Sequence, residues 1–334
     1  VTTNEALSGP NRDLKALLIE EALATVDAPL DRLDLKMITS ALRELRTAFA
    51  TFGPYRSQRK VTVFGSARTQ PGEPAYDLAY ELGARLAAAG WMVITGGGPG
   101  IMEAAARGAG PDHAFGVNIR LPLEQPGDHN LAANGRLIEM KYFFTRKVLM
   151  IRESDAFVSL PGGLGTLDET FELLTLMQTG KAQLAPLVLL EPHGSDYWSG
   201  LWDLLEARIV ARGLADEEDL TLLRRADDVT VALEEILGFY RLFHSLRVVG
   251  QDLVLRLLHP LPSERLAELQ ERFGDISLDG RLRAIPPTPW ELREGDHPEL
   301  ARLALRFDRR SFGRLRQLID AINATDTKDV RARA

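Results

Sequence analysis

Cysteine is absent from all 334 residues. That excludes disulfides, thiolate metal sites and a cysteine nucleophile. Histidine is sparse: His113, His129, His193, His244, His259 and His297 all stand apart, and none lies three to five positions from another. No local histidine metal motif exists, and no metal site is expected. Long apolar runs are missing as well. No stretch approaches a membrane span, and Val1-Thr2-Thr3-Asn4-Glu5 lacks the basic region and apolar core of a signal peptide. No membrane partner is expected, and a cytoplasmic setting is. The net charge of −7 gives no electrostatic attraction to nucleic acid, so no nucleic-acid partner is expected either. Two nucleotide signatures are also lacking. No G-x-x-x-x-G-K-[ST] occurs. A G-x-G-x-x-G match begun at Gly96 fails at Ile101, and one begun at Gly98 fails at Glu103.

What is present is the composition of a globular chain, 45% hydrophobic and 26% charged. Apolar periodicity predicts two helices ahead of the first strand, over 11–27 and 31–50, with Asp31 or Asp34 near the start of the second. Residues 1–10 read as a polar, mobile leader to them. These helices carry no chemistry and are expected to pack on the core or on a partner subunit. Strands and helices then alternate: strands at 60–64, 91–95, 115–119, 156–160 and 186–190, and helices at 74–89, 101–106, 139–153, 166–177, 196–211 and 231–243. A polar loop is read to about residue 135. The alternation predicts an α/β fold, a Rossmann-like doubly wound parallel sheet. Beyond it the pattern changes. Strands at 252–258, 281–285 and 300–307, helices at 263–273 and 310–323, and a rigid turn at 286–289 predict a small α+β extension with a frayed tail over 324–334. Three parts result: an N-terminal helical extension over 1–54, a nucleotide-binding catalytic domain over 55–245, and a small α+β domain over 246–334.

Two glycine turns carry the chemistry. Each follows a strand and runs into a helix. Gly96-Gly97-Gly98-Pro99-Gly100-Ile101-Met102-Glu103 is one, and Pro161-Gly162-Gly163-Leu164-Gly165-Thr166-Leu167-Asp168-Glu169 is the other. Glycine lets the backbone approach a ligand closely, and a helix N-terminus offers free N–H groups to a phosphate. Thr166-Leu-Asp-Glu169 equally fits a capping box, with Thr166 capping the helix and Glu169 reaching back. Gly65 and Ser66 end the first strand, where open α/β sheets bind ligands. Arg68 beside them reads either as an anion contact or as a solvated side chain. Arg146 and Lys147 interrupt an apolar helix just upstream of the second turn, and a solvated helix face also fits them.

Together, the 96–103 turn, Arg146-Lys147 and the 161–169 run resemble the Lonely Guy (LOG) family. Its members are cytokinin riboside 5′-monophosphate phosphoribohydrolases, long labelled lysine decarboxylase-like. The family motif PGGxGTxxE matches at every fixed position, and the likeness covers roughly residues 55–245. It implies a homodimer or higher homo-oligomer that hydrolyses a nucleoside 5′-monophosphate to free base and ribose 5-phosphate, without a cofactor. Residue by residue, it implies Arg146 and Glu169 as the catalytic pair. Gly162, Gly163, Gly165 and Thr166 would form the phosphate loop. Gly96, Gly97, Gly98 and Gly100 would form the second nucleotide-contacting turn, with Glu103 facing the ribose and Met102 as a further substrate contact. Gly65, Ser66 and Lys147 complete the expected substrate contacts. Plant-type members often carry Met three residues before the catalytic arginine, where this chain has Phe143. A noncatalytic nucleotide- or cofactor-binding protein is the alternative reading. A pyridoxal-phosphate decarboxylase would need a Schiff-base lysine with supporting groups, and the sequence offers no such constellation.

Overall fold

A computed structural model of the chain describes residues 11–119 and 129–325. The segments read as a mobile leader (1–10), as most of the polar loop before residue 129, and as the end of the frayed tail lie outside the described residues.

The first helices are α1 (Arg12–Asp27) and α2 (Arg32–Phe52). Asp31 caps α2 by accepting from Leu33 N and Asp34 N at 2.7 and 2.8 Å, and Asp34 returns the bond in a capping box. Helix α2 buries Ala48 and Phe52, whereas α1 buries no residue.

The alternating body runs β1 (Lys60–Phe64), α3 (Pro74–Ala88), β2 (Met92–Thr95), α4 (Ile101–Ala109), β3 (Ala114–Ile119), α5 (His129–Ala133), β4 (Leu137–Met140), α6 (Phe143–Glu153), β5 (Ala156–Ser159), α7 (Leu164–Gln178), β6 (Leu187–Leu190), α8 (Tyr197–Leu204), β7 (Arg224–Ala226) and α9 (Val229–Phe239). The strands form one seven-stranded sheet, ordered β4-β3-β2-β1-β5-β6-β7, and every pair is parallel. Strands β1, β2, β5 and β6 are buried throughout, as strands covered on both faces must be. Alternate strand residues feed two cores. Phe64, Ile94, Phe157 and Leu189 pack with α2, α6 and α7. Val63, Val93, Val158 and Leu190 pack with α3, α4 and α9. The sheet is therefore doubly wound, as the alternation predicts.

Four local readings need correction. Residues 139–153 are not one helix. Leu137–Met140 alternates inward Ile138 and Met140 with outward Glu139, and it joins β3 as an edge strand before α6 begins at Phe143. The helix read over 196–211 stops being α-helical at Leu204 and continues as a π turn, Leu205–Ile209, and a 3₁₀ turn, Val210–Arg212. The helix read to 243 ends at Phe239, and β8 (Phe243–Val249) starts a second sheet. The proline turn at 286–289 opens a short helix, capped by Thr288 with Pro289 at its first position.

The second sheet adds β9 (Asp252–Leu257), β10 (Ser277–Ala284) and β11 (Ala301–Phe307) in the order β10-β11-β9-β8, all antiparallel. Helices α10 (Ser263–Phe273), α11 (Pro289–Glu294) and α12 (Phe312–Asn323) accompany it. One face, with Leu253, Leu255, Leu303 and Leu305, packs on α10 and α12 and is continuous with the core around α7. Where the chain passes from the first sheet to the second, one buried polar side chain pairs the backbone. Asn323 accepts from Leu242 N and Phe243 N at 2.8 and 2.9 Å and donates to Phe239 O at 2.6 Å. Among the described residues no helix is long and apolar enough to cross a membrane.

Candidate active site

The strand order reverses direction at β1: the chain moves outward to β2 on one side and returns to β5 on the other. Ligands of open parallel sheets bind at such a point, beyond the carboxyl ends of the strands. Here β1 ends in Gly65-Ser66, β2 in the 96–100 turn and β5 in the 161–163 turn. These three ends wall one cavity of about 1160 Å³.

Backbone bonds lock the walls together. Ser66 N donates to Pro161 O at 3.1 Å, and Ile101 N donates to Ser66 O at 3.0 Å. Ser66 Oγ accepts from Arg68 N at 3.0 Å. The approach is close enough to dictate residue type. A Cβ on Gly162 would lie 2.1 Å from Thr166 Oγ1 and 3.0 Å from Ser66 N. A Cβ on Gly96 would lie 2.5 Å from an Arg146 guanidinium nitrogen and 2.6 Å from Met102 Sδ. At Gly163 and Gly165 a Cβ would meet nothing within 4 Å. Protein packing therefore does not require glycine at those two positions.

Helix α7 starts at Leu164 with Gly163 as its N-cap and no side-chain cap. The capping box read at Thr166 does not form, because Thr166 is already the third helical residue. The first amides of a helix have no partner within it, and here Leu164 and Gly165 border the cavity. Thr170 ties α7 to β5: its Oγ1 donates to Thr166 O and lies 2.8 Å from Ser159 Oγ. Tyr197 OH donates to Gly162 O at 2.5 Å and supports the turn from behind.

Freed from capping, Glu169 faces two cations from α6. Arg146 Nη1 is 3.5 Å from Glu169 Oε1, and Lys147 Nζ is 3.4 Å from Oε2. Arg146 Nε also donates to Val117 O at 2.9 Å, so the guanidinium bridges β3 and α7. Both Glu169 and Arg146 are nearly buried, with 7% and 12% of their side chains exposed. Burial pushes the Glu169 carboxyl above its ordinary value, against the pull of Lys147 and Arg146. Burial likewise lowers Arg146, and the Glu169 charge offsets part of that.

Of the residues singled out in the sequence, Gly65, Ser66, Arg68, Gly96, Gly97, Gly98, Met102, Phe143, Arg146, Gly162, Gly163, Gly165, Thr166 and Glu169 line the cavity. Three do not. Gly100 supports the turn from behind at φ 70°. Glu103 pairs with Arg107 at 3.5 Å along its own helix. Lys147 is turned toward the carboxylates of α7. Thr69, Asn118 and Asp168 line the cavity and were not singled out. Asn118 had a readable signal, since it sits near the carboxyl end of β3 as Gly65 and Gly96 do on their strands. Among the described residues, no group of three or more His, Asp or Glu side chains is arranged to hold a metal ion.

A family model described as "Possible lysine decarboxylase" matches residues 92–236, from β2 through α9, and so contains both glycine turns, α6 and α7. The chain belongs to this family, the LOG family of the motif resemblance. Within it, the cytokinin riboside 5′-monophosphate phosphoribohydrolase of Mycobacterium tuberculosis is 36% identical over 122 residues, 35% of this chain and 63% of the relative. A probable cytokinin riboside 5′-monophosphate phosphoribohydrolase of Oryza sativa is 35% identical over 159 residues, 45% of this chain and 61% of the relative. An uncharacterized protein of Archaeoglobus fulgidus is 34% identical over 121 residues, 36% of this chain and 76% of the relative. This LOG-family chain thus spans less than two thirds of the first two relatives, and the family model ends ahead of the second sheet.

Proposed function

We propose that the chain hydrolyses the N-glycosidic bond of a nucleoside 5′-monophosphate, AMP or a cytokinin riboside 5′-monophosphate, to free base and ribose 5-phosphate. The observation that carries this reading is the buried Arg146–Glu169 pair, set in a cavity that is also lined by glycine backbone and a helix N-terminus. A 5′-phosphate fits the amides of Leu164 and Gly165 and the Thr166 hydroxyl. The open space over Gly163 and Gly165 suits a phosphate that approaches the backbone closely.

With the phosphate anchored there, the sugar lies toward Glu169. Breaking the glycosidic bond builds positive charge on the ribose ring, and the carboxylate stabilises it. Water attacks C1′ and yields a proton to Glu169, while the C1′–N bond electrons leave with the base, which takes up a proton. A carboxyl raised by burial is a better base near neutral pH than a solvated one. Arg146 holds the substrate and stabilises the departing base.

The decarboxylase description points to other chemistry, which needs a lysine amine that can lose its proton. Although burial opposes its charge, the Asp168 and Glu172 carboxylates hold Lys147 above the ordinary lysine range, the opposite of that requirement.

The test is product detection. AMP, GMP, CMP, UMP and N6-isopentenyl AMP are incubated with the protein, and free base and ribose 5-phosphate are followed by chromatography. Glu169→Gln should lower turnover by about 10²–10⁴-fold and leave AMP binding intact. Release that persists in the variant removes Glu169 from the reaction. No release from any nucleotide, with binding retained, makes the chain a nucleotide-binding protein. The reading includes a homodimer or higher homo-oligomer, supported by the exposed Leu14, Leu17, Leu18, Leu23 and Val26 of α1. Sedimentation of the full chain tests it.

A further inference from the structure

Lys147 stands beside Arg146 in the sequence, yet it does a different job. Arg146 reaches the cavity, whereas Lys147 Nζ lies 2.7 Å from Asp168 Oδ2, 3.4 Å from Glu169 Oε2 and 2.5 Å from Glu172 Oε2. Only 13% of the Lys147 side chain is exposed. Residues 168, 169 and 172 share one face of α7, because positions three and four apart on a helix are neighbours. One ammonium, with three donors and no acceptor, therefore engages three carboxylates on the first two turns of the helix that also carries Thr166. Without it, three like charges would stand within one helical turn.

We infer that Lys147 is a positioning residue: its ammonium fixes the Glu169 carboxylate and the first turns of α7, and it does not bind the nucleotide. The geometry divides the labour on Glu169, with Arg146 on Oε1 from the cavity side and Lys147 on Oε2 from the far side. Arg146 and Lys147 of α6 and Asp168 and Glu172 of α7 are the charged groups around Glu169. Loss of Lys147 leaves Glu169 with one cation and two carboxylate neighbours. Its proton is then held more tightly, and it must be removed before Glu169 can act as a base. The inference rests on the hydrolase reading in one respect, that Glu169 works as a carboxylate.

The experiment compares wild type, Lys147→Met and Lys147→Arg in the full chain. AMP affinity is measured by calorimetry, and kcat/KM for base release is measured from pH 5 to 9, about the range over which a raised carboxyl titrates. Lys147→Met should move the acid limb of kcat/KM upward by about one pH unit or more, with the Kd for AMP within about twofold. Lys147→Arg, which keeps the charge, should restore most of the limb. A limb that stays in place, or a Kd weakened about tenfold at an unchanged limb, overturns the inference and returns Lys147 to substrate binding. If Lys147→Met does not fold, Lys147→Gln reads the same limb.

A second readout needs no turnover. The ¹³C carboxyl titration of Glu169, assigned by its loss in Glu169→Gln, should move upward in Lys147→Met. If wild type releases no base from any nucleotide, the hydrolase reading fails. The carboxyl titration then still decides on Lys147: an upward shift supports the inference and an unmoved resonance overturns it.

Discussion

At the scale of single residues, the glycines separate into those the protein needs and those a ligand would need. Gly162→Ala forces a methyl into Thr166 and the Ser66 amide. It should cost about 1–3 kcal/mol of stability, read as a lower denaturation midpoint. Gly163→Ala meets open space at a φ of −87° that any residue adopts. Its stability should stay within about 0.5 kcal/mol of wild type while KM for the nucleotide rises. Equal stability losses in both variants would sink this distinction. Gly96→Ala pushes on the ends of Arg146 and Met102, so it should spare stability and lower kcat on the order of 10²-fold. Glu169 adds a pH signature. The folded chain holds this proton more tightly than the unfolded chain does. The stabilisation is therefore complete below the ordinary carboxylate value of 4.5 and is lost as pH rises through the folded value. Relative to Glu169→Gln, wild type should lose stability as pH rises above the ordinary carboxylate value of 4.5, measured as the difference in thermal midpoints.

At the scale of elements, the N-terminal extension reaches the site through α2. Glu44 Oε1 accepts from Lys141 N at 3.1 Å, and Glu44 Oε2 accepts from Thr145 Oγ1 at 2.7 Å. A negative side chain is thereby placed at the N-terminal end of α6, where the helix dipole favours it. Arg152, near the other end of α6, stacks over Phe49 with its guanidinium carbon 4.3 Å from the ring centroid. Glu44→Gln should cost about 1 kcal/mol and lower kcat by loosening Arg146. An unchanged kcat at reduced stability would restrict α2 to a packing role. This link was not legible in the sequence, where 31–50 carries only a helical period and Glu44 is one polar residue among many. The glycine turns were legible because their constraint is local. A strand, a close backbone approach and a helix start all leave their marks within ten residues. The capping-box reading of Thr166 and Glu169 failed for the complementary reason. Pattern alone cannot show that the helix starts two residues earlier, at Leu164, which leaves the Glu169 carboxylate to the two cations on α6. Strand β4 hid for a similar reason, since four residues leading into a helix give too little alternation to set against a 3.6-residue period.

At the scale of the whole molecule, the second sheet holds its own charge cluster on the face away from the shared core. Glu291, fully buried, accepts from Arg256 at 2.7 Å and from Arg302 at 3.1 Å, and Asp296 accepts from Arg256 at 2.7 Å. Burial works against the charge on Glu291, but the Thr288 amide, Arg256 and Arg302 outweigh it and bring the carboxyl to about 2. The stability so gained is present above the ordinary value of 4.5 and is lost as pH falls toward about 2. Glu291→Gln leaves two buried guanidiniums short of charge. It should destabilise the chain by about 3–5 kcal/mol and flatten the acid limb of its stability profile, both measurable by denaturant titration across pH.

The core shared by the two sheets bears on how the chain is made. It joins Phe52 of α2 and Met177 of α7 to Leu315, Leu318 and Ile322 of α12. A ribosome delivers these groups in that order, the N-terminal ones first. The parallel sheet and both glycine turns are therefore complete while the apolar ground beneath α12 is still bare. Gly313, set against the Glu218 carbonyl with no room for a Cβ, and Asn323, which satisfies the amides of Leu242 and Phe243, arrive last and close it. A nascent chain halted before Phe312 would present that apolar ground to chaperones and to other nascent chains, although every residue of the candidate active site had already been synthesised.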